Sequence, residues 1–466
     1  MKLKLKLVAA MSLLGFISCP AFAADDVSQT TTTTTTTATP APVAKHRHHH
    51  KMKHHVVAAR TSYKGDLKGE MIPAPVVEAC PINNWYTPMM LSMTQNVGRA
   101  VPTVHCYEPI SFAGGIATDV HTFNLSKGYM GENNERISLN DAYLNIFGNV
   151  NQYVKAFASV SYNSASGLFT TSNNNTNAGG HLYALGGQYS AVYPNNTLNL
   201  EQGFVNFSDL DNMPVFFQIG KQFADYNRYQ IHALERTMTQ VLTETLRTSA
   251  ELGFVTQLGI HGTVTAFDSP DRKESQNNAT YVYGASLGWD HPNDSLGWDV
   301  GVGYMSDMTG ANDIAAAVGR DLGTTGTYIH RVAAWSAYGH VNSGPFMFGL
   351  NYAAALQSFN GADLTSNAST GSDASPKALD AKVGFAFNNF GWNKNQNVYL
   401  GYQKSWQAAR IPLPSNRWLL GYGVDVLPNT MLGAEFGHDV AYSQSKSGGS
   451  GSNSNTLGLR AAVKFG

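Results

Sequence analysis

From Ser111 onward, apolar and polar side chains alternate with a period of two. The last such segment, 456–465, shows the alternation most clearly. One face carries Leu457, Leu459, Ala461, Val463 and Phe465, and the other carries Thr456, Gly458, Arg460, Ala462 and Lys464. A tilted strand of about ten residues is long enough to cross a bilayer. The pattern therefore predicts strands that have one face in lipid and the other in water.

The same alternation predicts about sixteen strands, which together form an all-β, transmembrane, antiparallel up-and-down barrel. The predicted strands are 111–122, 137–147, 153–163, 200–207, 214–221, 248–255, 260–267, 281–289, 297–305, 329–341, 345–355, 377–387, 396–405, 417–425, 430–438 and 456–465. The terminal strand with Phe465 also resembles the C-terminal signature by which the barrel assembly machinery recognises its substrates.

The connections between these strands alternate in length, which supports the barrel prediction. The short ones are 148–152, 208–213, 256–259, 290–296, 342–344, 388–395 and 426–429, and the long ones are 164–199, 222–247, 306–328, 356–376 and 439–455. Short turns on one rim and long loops on the other are typical of outer-membrane barrels. Both termini are expected on the short-turn side.

Charged side chains within the predicted strands should point into the barrel, because a charge facing lipid costs about 2 to 4 kcal/mol at the bilayer midplane. The lumen candidates are Lys155, Arg247, Glu251, Asp299, Asp380, Lys382, Glu435, Arg460 and Lys464. Mixed charges of this kind either set solute selectivity or only keep the lumen wet. The sequence leaves both interpretations open.

The 222–247 connection is long, charged and aromatic. Arg228, Tyr229, His232 and Arg236 are candidates for a constriction if this connection folds into the lumen. Arg and Tyr suit a carboxylate-rich or catecholate ligand through bidentate and stacking contacts. An ordinary surface loop is the alternative.

The N-terminus has the features of a secretory signal over residues 1–23, with three early lysines, an apolar stretch and Ala21-Phe22-Ala23 before the expected cleavage site. A lipoprotein signal at Cys19 is the alternative. Residues 24–62 form a Thr-rich and His-rich tether of low complexity. Residues 63–110 form a pre-barrel segment expected in the periplasm, and residues 111–466 form the barrel.

Two features before the barrel carry possible chemistry. The tract KHRHHHKMKHH contains the candidate metal ligands His46, His48, His49, His50, His54 and His55. A solvated cationic linker is the alternative. Cys80 and Cys106 are expected to form a disulfide in an oxidising periplasm, and two unpaired thiols are the alternative.

Composition agrees with an exported barrel. Only 14% of residues are charged, against roughly 25% in soluble domains. After the signal there is no apolar run of about 18 residues, the length required by a membrane-spanning helix. The net charge of −1 gives no support for nucleic-acid binding. A sixteen-strand barrel should enclose an aqueous lumen, so transport is the expected function.

Part of the barrel resembles a known family. The segments LEQGFV (200–205), PVFFQIGKQ (214–222) and TQVLTETLRTSAELGF (239–254), with Tyr229 and the early strands at 137–158, are similar to LbtU-type siderophore porins. The resemblance covers about 111–466. It implies an outer-membrane barrel that takes up a ferric siderophore without a plug domain. Where such proteins often carry a coiled-coil-like periplasmic extension, this chain has the Thr-rich and His-rich tract.

Two further functions compete with siderophore uptake. A general diffusion porin for other small solutes would use the same architecture. A barrel enzyme or an adhesin is the other class, but His261, His340 and His438 lack the spacing of a hydrolase site. We therefore expect no enzyme activity and no cofactor. The expected partners are the solute, outer-membrane lipid, lipopolysaccharide and the assembly machinery, with the oligomeric state open.

Overall fold

The structure of the chain is a computed structural model. The described residues are 109–125, 133–151, 153–162, 198–209, 212–229, 236–256, 258–268, 272–273, 281–291, 296–322, 327–367, 370–388, 395–411, 413–447, 451 and 453–465. The signal, the histidine tract and the Cys80 and Cys106 pair lie outside them.

Sixteen antiparallel strands close into a barrel, which confirms the predicted fold class. The strands are β1 Ile110–Leu125, β2 Asn133–Asn149, β3 Val154–Tyr162, β4 Asn199–Ser208, β5 Val215–Phe223, β6 Leu246–Val255, β7 Ile260–Asp268, β8 Tyr281–His291, β9 Leu296–Met305, β10 Ala334–Ser343, β11 Phe346–Ala355, β12 Lys377–Phe387, β13 Gln396–Trp406, β14 Asn416–Leu427, β15 Thr430–Val440 and β16 Asn453–Phe465. β1 pairs with both β2 and β16 and so closes the cylinder.

The first two strands differ most in length from their neighbours. β1 has 16 residues and β2 has 17, whereas β3 and β5 have 9 each. The pairing of Ile110 with Gly148 places one end of this hairpin at the short-turn rim. The additional length therefore lies toward the opposite rim.

The outer face of the barrel is apolar and the inner face is polar. In β16, Leu459 is 51% exposed, whereas Arg460 beside it is 4% exposed. In β12 the same alternation puts Val383 outside and Asp380 and Lys382 inside. Because apolar side chains this exposed to water are unfavourable, the outer face suits a lipid environment.

Tight turns join strands on one rim. Gly344 has φ of 56° and Asn429 has φ of 57°, values in the left-handed region that these two residue types adopt most readily. The structure thereby agrees with short connections at 342–344 and 426–429. Two short strand pairs lie in long connections: Arg272–Lys273 with Thr327–Tyr328, and Thr365–Asn367 with Ser372–Asp373.

Two long connections fold into the barrel. The β5–β6 connection contains helix α1, Met238–Thr243, and the β9–β10 connection contains a 3₁₀ turn, Met308–Gly310, and helix α2, Asn312–Leu322. Helix α3, Gln444–Ser447, follows β15. Within the described residues, no helix combines the length and apolar character needed to cross a bilayer.

An apolar core lies where these connections meet the inner wall. Its members include Tyr226, Met238, Leu242, Met308, Ile314, Val332 and Phe359. The sequence predicted an aqueous lumen, and for this part of the interior that prediction was wrong. The alternation of apolar and polar residues predicted only the strands of the barrel wall. The inward connections show no such alternation, so their path could not be predicted from it. The strand predicted to begin at 329 begins at Ala334 in the structure. Val332 is buried in this core, and its carbonyl accepts a hydrogen bond from the Met308 amide, so the chain leaves the wall before β10.

Candidate functional site: the narrowed interior

The first part of the β5–β6 connection is attached along the inner wall. The Ser286 hydroxyl donates to Asp225 Oδ2 at 3.0 Å, and the Ser336 hydroxyl donates to the Tyr226 carbonyl at 2.7 Å. Asn351 Nδ2 donates to the Arg228 carbonyl at 2.5 Å. These partners lie on β8, β10 and β11. The segment therefore runs along the inner wall, away from β5 and β6, the two strands that it connects.

Wall glycines allow this segment to approach closely. A Cβ at Gly303 would lie 1.8 Å from the Tyr226 carbonyl oxygen, and a Cβ at Gly284 would lie 1.7 Å from the Tyr226 ring. Both distances are far below van der Waals contact. Side chains at these two positions are therefore incompatible with the observed path of the connection.

Arg228 is surrounded by polar and aromatic groups of the wall. Its Nη1 donates to Asp299 Oδ2 at 2.8 Å, and its guanidinium lies 6.0 Å from the centre of the Tyr338 ring. Burial acts to lower the pKa of Arg228, but Asp299 and Tyr338 carry it well above the ordinary value. Arg228 Nη2 lies 3.2 Å from His261 Nε2. A guanidinium nitrogen donates and does not accept, so His261 Nε2 is the acceptor, and His261 Nδ1 carries the proton and donates it to the Gly259 carbonyl.

The second part of the connection crosses to the far wall. Thr237 caps α1 by accepting from the Gln240 amide, and the Met238 amide donates to Gln403 Oε1 of β13 at 3.1 Å. The helix packs against β11, β12 and β13 and is fully buried. The connection therefore spans the interior, and 222–247 is not an exposed surface loop over its described length.

An ion-pair cluster joins the two inward connections. Arg236 Nη2 contacts Glu244 Oε1 at 3.1 Å and Asp313 Oδ2 of α2 at 3.0 Å. Burial acts to lower the pKa of Arg236, but Glu244 and Asp313 raise it. Burial raises the pKa of Glu244 to about 7, and Arg236 opposes this shift. The Asn312 amide also donates to the Glu244 carbonyl at 2.9 Å, so both connections form one unit, which we call the interior block.

Three of the four candidates for a constriction, Arg228, Tyr229 and Arg236, are described by the structure, and all three lie in this block. Tyr229 donates to or accepts from the Thr243 hydroxyl at 2.9 Å, and burial raises its pKa. Arg228 and Arg236 are both paired with carboxylates. His232 lies outside the described residues. The two arginines therefore pair with carboxylates of the wall and of the block. Their contact with a transported ligand stays a prediction.

The nine lumen candidates all lie on the inner, less exposed face. Lys155, Glu251, Asp299, Asp380, Lys382, Glu435 and Arg460 are buried, and Arg247 and Lys464 are partly exposed.

Several of these charged side chains have neighbours of complementary chemistry. Arg460 makes two 2.6 Å hydrogen bonds to Asp119, and Lys382 lies 4.5 Å from the centre of the Tyr399 ring. Tyr399 in turn donates to Glu435.

Several of these partners were not predicted from the sequence. Asp119 faces Arg460 directly across the β1–β16 pairing, so strand register would have identified it. Glu244 and Asp313 lie in connections whose paths no periodicity predicts. Among the described side chains, no group of three or more His, Cys, Asp or Glu residues is placed to hold a metal ion.

Comparison with known proteins gives distant relatives. No family model matches the chain. A UPF0422 protein of Legionella pneumophila strain Philadelphia 1 is 26% identical over 361 residues, which is 75% of this chain and 62% of that protein. A UPF0422 protein of Coxiella burnetii is 24% identical over 249 residues, 53% of this chain and 52% of that protein. The chain thus spans about three fifths or less of the length of these relatives.

One solved outer-membrane protein shares the fold, and a second matches more weakly. Pseudomonas putida OprB, in a structure determined at high pH, matches with a TM-score of 0.52 and 11% identity, covering 77% of this chain and 94% of that one. An anion-selective porin from Comamonas acidovorans matches with a TM-score of 0.47 and 10% identity over 76% of this chain and 99% of that one. At such low identity, the likeness to OprB concerns the fold alone.

Proposed function

We propose that this chain is an outer-membrane channel for the uptake of small solutes, with ferric siderophore or iron as its substrate. The observation that carries the proposal is a closed sixteen-strand barrel whose apolar face is outside and whose charged face is inside. The porin-like fold favours a channel over an enzyme and supports an outer-membrane location.

The narrowed interior supports a selective channel. The interior block reaches β13 from β5 and β6, and most lumen candidates are withdrawn from solvent. A pathway beside such a block admits solutes by shape and by local charge rather than by size alone. The resemblance of 137–254 to siderophore porins supplies the substrate class.

The environment of the barrel follows from its surface. Its outer residues contact lipid and, at the long-connection rim, lipopolysaccharide. Its terminal strand, ending in Phe465, presents the alternating pattern that the barrel assembly machinery recognises. The segment that precedes the barrel, up to residue 110, is proposed to lie in the periplasm.

Transport assays test this function. Cells that lack the protein and then regain it on a plasmid should recover uptake of labelled ferric siderophore at limiting concentration. Conductance in planar bilayers should be small and should fall when ferric siderophore is added. Unchanged uptake together with high conductance that ferric siderophore does not affect would instead identify a general diffusion porin.

A further inference from the structure

A row of four cross-strand partners crosses the inner wall next to Arg228. His261 on β7 pairs with Gly288 on β8. Gly288 pairs with Gly301 on β9, which in turn pairs with Tyr338 on β10. The two glycines leave the middle of this row without side chains. Tyr338 covers the gap, since a Cβ at Gly301 would lie only 2.5 Å from the Tyr338 hydroxyl oxygen. The tyrosine therefore lies across the wall, from β10 toward β8.

Four polar side chains meet over these glycines. A Cβ at Gly288 would lie 2.8 Å from the Tyr338 hydroxyl oxygen and 2.4 Å from His261 Nε2, so both groups stand over the same residue. Arg228 Nη2 lies 3.2 Å from His261 Nε2, and Arg228 Nη1 lies 2.8 Å from Asp299 Oδ2. These side chains form one group, which we call the Arg228 cluster: Arg228, His261, Asp299 and Tyr338.

Three members of the cluster keep a polar atom that has no hydrogen-bond partner among the described residues. Tyr338 is only 8% exposed, and its hydroxyl is unpaired there. Arg228 Nε and Asp299 Oδ1 are buried and likewise unpaired. Buried polar groups are nearly always hydrogen-bonded, because leaving them unpaired is costly. The cluster is therefore complete only when a further polar group enters it.

The unpaired atoms and the local charge define the group that fits. Arg228 Nε can only donate, Asp299 Oδ1 only accepts when ionised, and the Tyr338 hydroxyl does either. Burial acts to lower the pKa of the Arg228 guanidinium, but Asp299, Asp225 and Asp290 are among the groups that raise it. An anionic ligand would meet these three carboxylates, and a cationic one would meet the guanidinium. A neutral hydroxyl donates and accepts through one oxygen and matches the cluster.

We propose that the Arg228 cluster is a binding site for the hydroxyl groups of an uncharged polyol, a second class of solute for this barrel beside the iron complex. A hydroxyl of the polyol donates to Asp299 Oδ1 and accepts from Arg228 Nε or from the Tyr338 hydroxyl. The site depends on the proposed channel function only in that a polyol must reach the lumen. Asp299 lies near the start of β9, so the polyol binds in the half of the barrel nearer the short-turn rim.

Saturation-transfer NMR on the full chain in a sugar-free detergent tests the site by binding alone. Sorbitol is the probe, and tetraethylene glycol, which carries ether oxygens in place of most hydroxyls, is the control molecule. Saturation should pass to sorbitol and not to tetraethylene glycol. Tyr338→Phe removes only the unpaired hydroxyl and should weaken sorbitol binding about fivefold or more. Tyr352→Phe, on the outer face of β11 against Trp335, is the matched control and should bind sorbitol as the wild-type protein does.

A glycine variant tests the same site by filling it. Gly288→Ala places a methyl group between the Tyr338 hydroxyl and His261 Nε2 and should abolish sorbitol binding. Gly339→Ala, whose nearest neighbour is Val300 Cγ1 at 3.7 Å, should retain it. Heat-modifiable migration on gels confirms that each variant is folded. If Gly288→Ala does not fold, the Tyr338→Phe result decides.

Two results would overturn the proposal. Either an absence of saturation transfer to sorbitol in the wild-type protein, or equal sorbitol binding by the wild-type protein and Tyr338→Phe, would mean that the Arg228 cluster holds water only. Because neither iron nor siderophore is present in these samples, their outcome is independent of the ferric siderophore uptake assay. Sorbitol binding that Tyr338→Phe weakens supports the site even where that uptake assay fails.

Discussion

Arg236 joins the two connections of the interior block. It is buried between Glu244 of its own connection and Asp313 of the other. One cation shared by two carboxylates leaves an excess negative charge when both are ionised. Burial accordingly favours the protonated form of Glu244, whose pKa is raised to about 7.

Removing the cation should loosen the block. Arg236→Met leaves two buried carboxylates without their partner, and breaking a buried ion pair in this way costs about 3 kcal/mol or more. Glu244→Gln keeps the Arg236–Asp313 pair and should cost about 1 kcal/mol or less. Chemical unfolding in detergent measures both changes, and single-channel recordings of Arg236→Met should show larger and noisier currents. Equal effects of the two variants would contradict a shared cation.

The raised pKa of Glu244 predicts a dependence on pH. A carboxyl whose folded-state pKa lies above its unfolded value stabilises the fold most at low pH, and this contribution is lost as pH rises through the folded value. Stability of the block should therefore decline between about pH 4, near the ordinary pKa of an unfolded carboxyl, and about pH 7, the pKa of Glu244 in the folded protein. Asp313, Arg236 and Tyr229 face the same group. Unfolding measured across this range should lose most of its slope in Glu244→Gln, and a retained slope would assign the titration to another group.

At the scale of strands and connections, the β1–β16 pairing closes the barrel. Arg460 and Asp119 join these strands by two hydrogen bonds of 2.6 Å, and both side chains are almost fully buried. Arg417 and Asp439 form a similar pair between β14 and β15, but the Asp439 side chain is 22% exposed. The two pairs share chemistry and differ in burial.

This difference predicts unequal effects of mutation. Arg460→Ala removes two short hydrogen bonds from the buried Asp119 carboxylate at the closing pair and should destabilise the barrel by about 3 kcal/mol. Arg417→Ala should cost about 1 kcal/mol, because water can reach Asp439. The temperature at which heat-modifiable migration is lost ranks the variants, and an equal or reversed order would show that burial of the closing pair is unimportant.

The glycines behind Tyr226 give another test at this scale. Gly303→Ala places a Cβ 1.8 Å from the Tyr226 carbonyl oxygen and should displace the β5–β6 connection from the wall. Gly339→Ala on the adjacent strand is the control, because its nearest neighbour is Val300 Cγ1 at 3.7 Å. Conductance should rise in the first variant and stay unchanged in the second. A silent Gly303→Ala would mean that the segment does not rest on this wall.

The elements differ in how far sequence could predict them. Each of the sixteen barrel strands was predicted, because one of its faces meets an apolar environment and the other does not, which imposes a period of two. The short strands in the long connections were not predicted. The course of 224–229 and 236–245 depends on contacts with Ser336, Asn351 and Gln403, which lie more than 90 residues away in the chain. Arg228 and Arg236 could be selected as charged loop residues, but their pairing with Asp299 and Asp313 could not be foreseen.

For the whole molecule, the distribution of apolar surface decides where the protein resides. The mature chain should be recovered in the membrane fraction, should require detergent for extraction, and should show a circular dichroism spectrum dominated by strand. Recovery as a detergent-free periplasmic monomer, or a spectrum dominated by helix, would contradict the proposed outer-membrane channel.

The long β1–β2 hairpin has a consequence separate from transport. Its strands, of 16 and 17 residues, exceed the roughly 9 to 11 that span the hydrocarbon layer. With the hairpin fixed at the short-turn rim, the remainder extends beyond the lipid on one side of the barrel. In the proposed orientation, this end of the hairpin, which pairs with β16 as far as Leu125, faces the cell surface, where antibodies, bacteriophages and extracellular proteases would meet it.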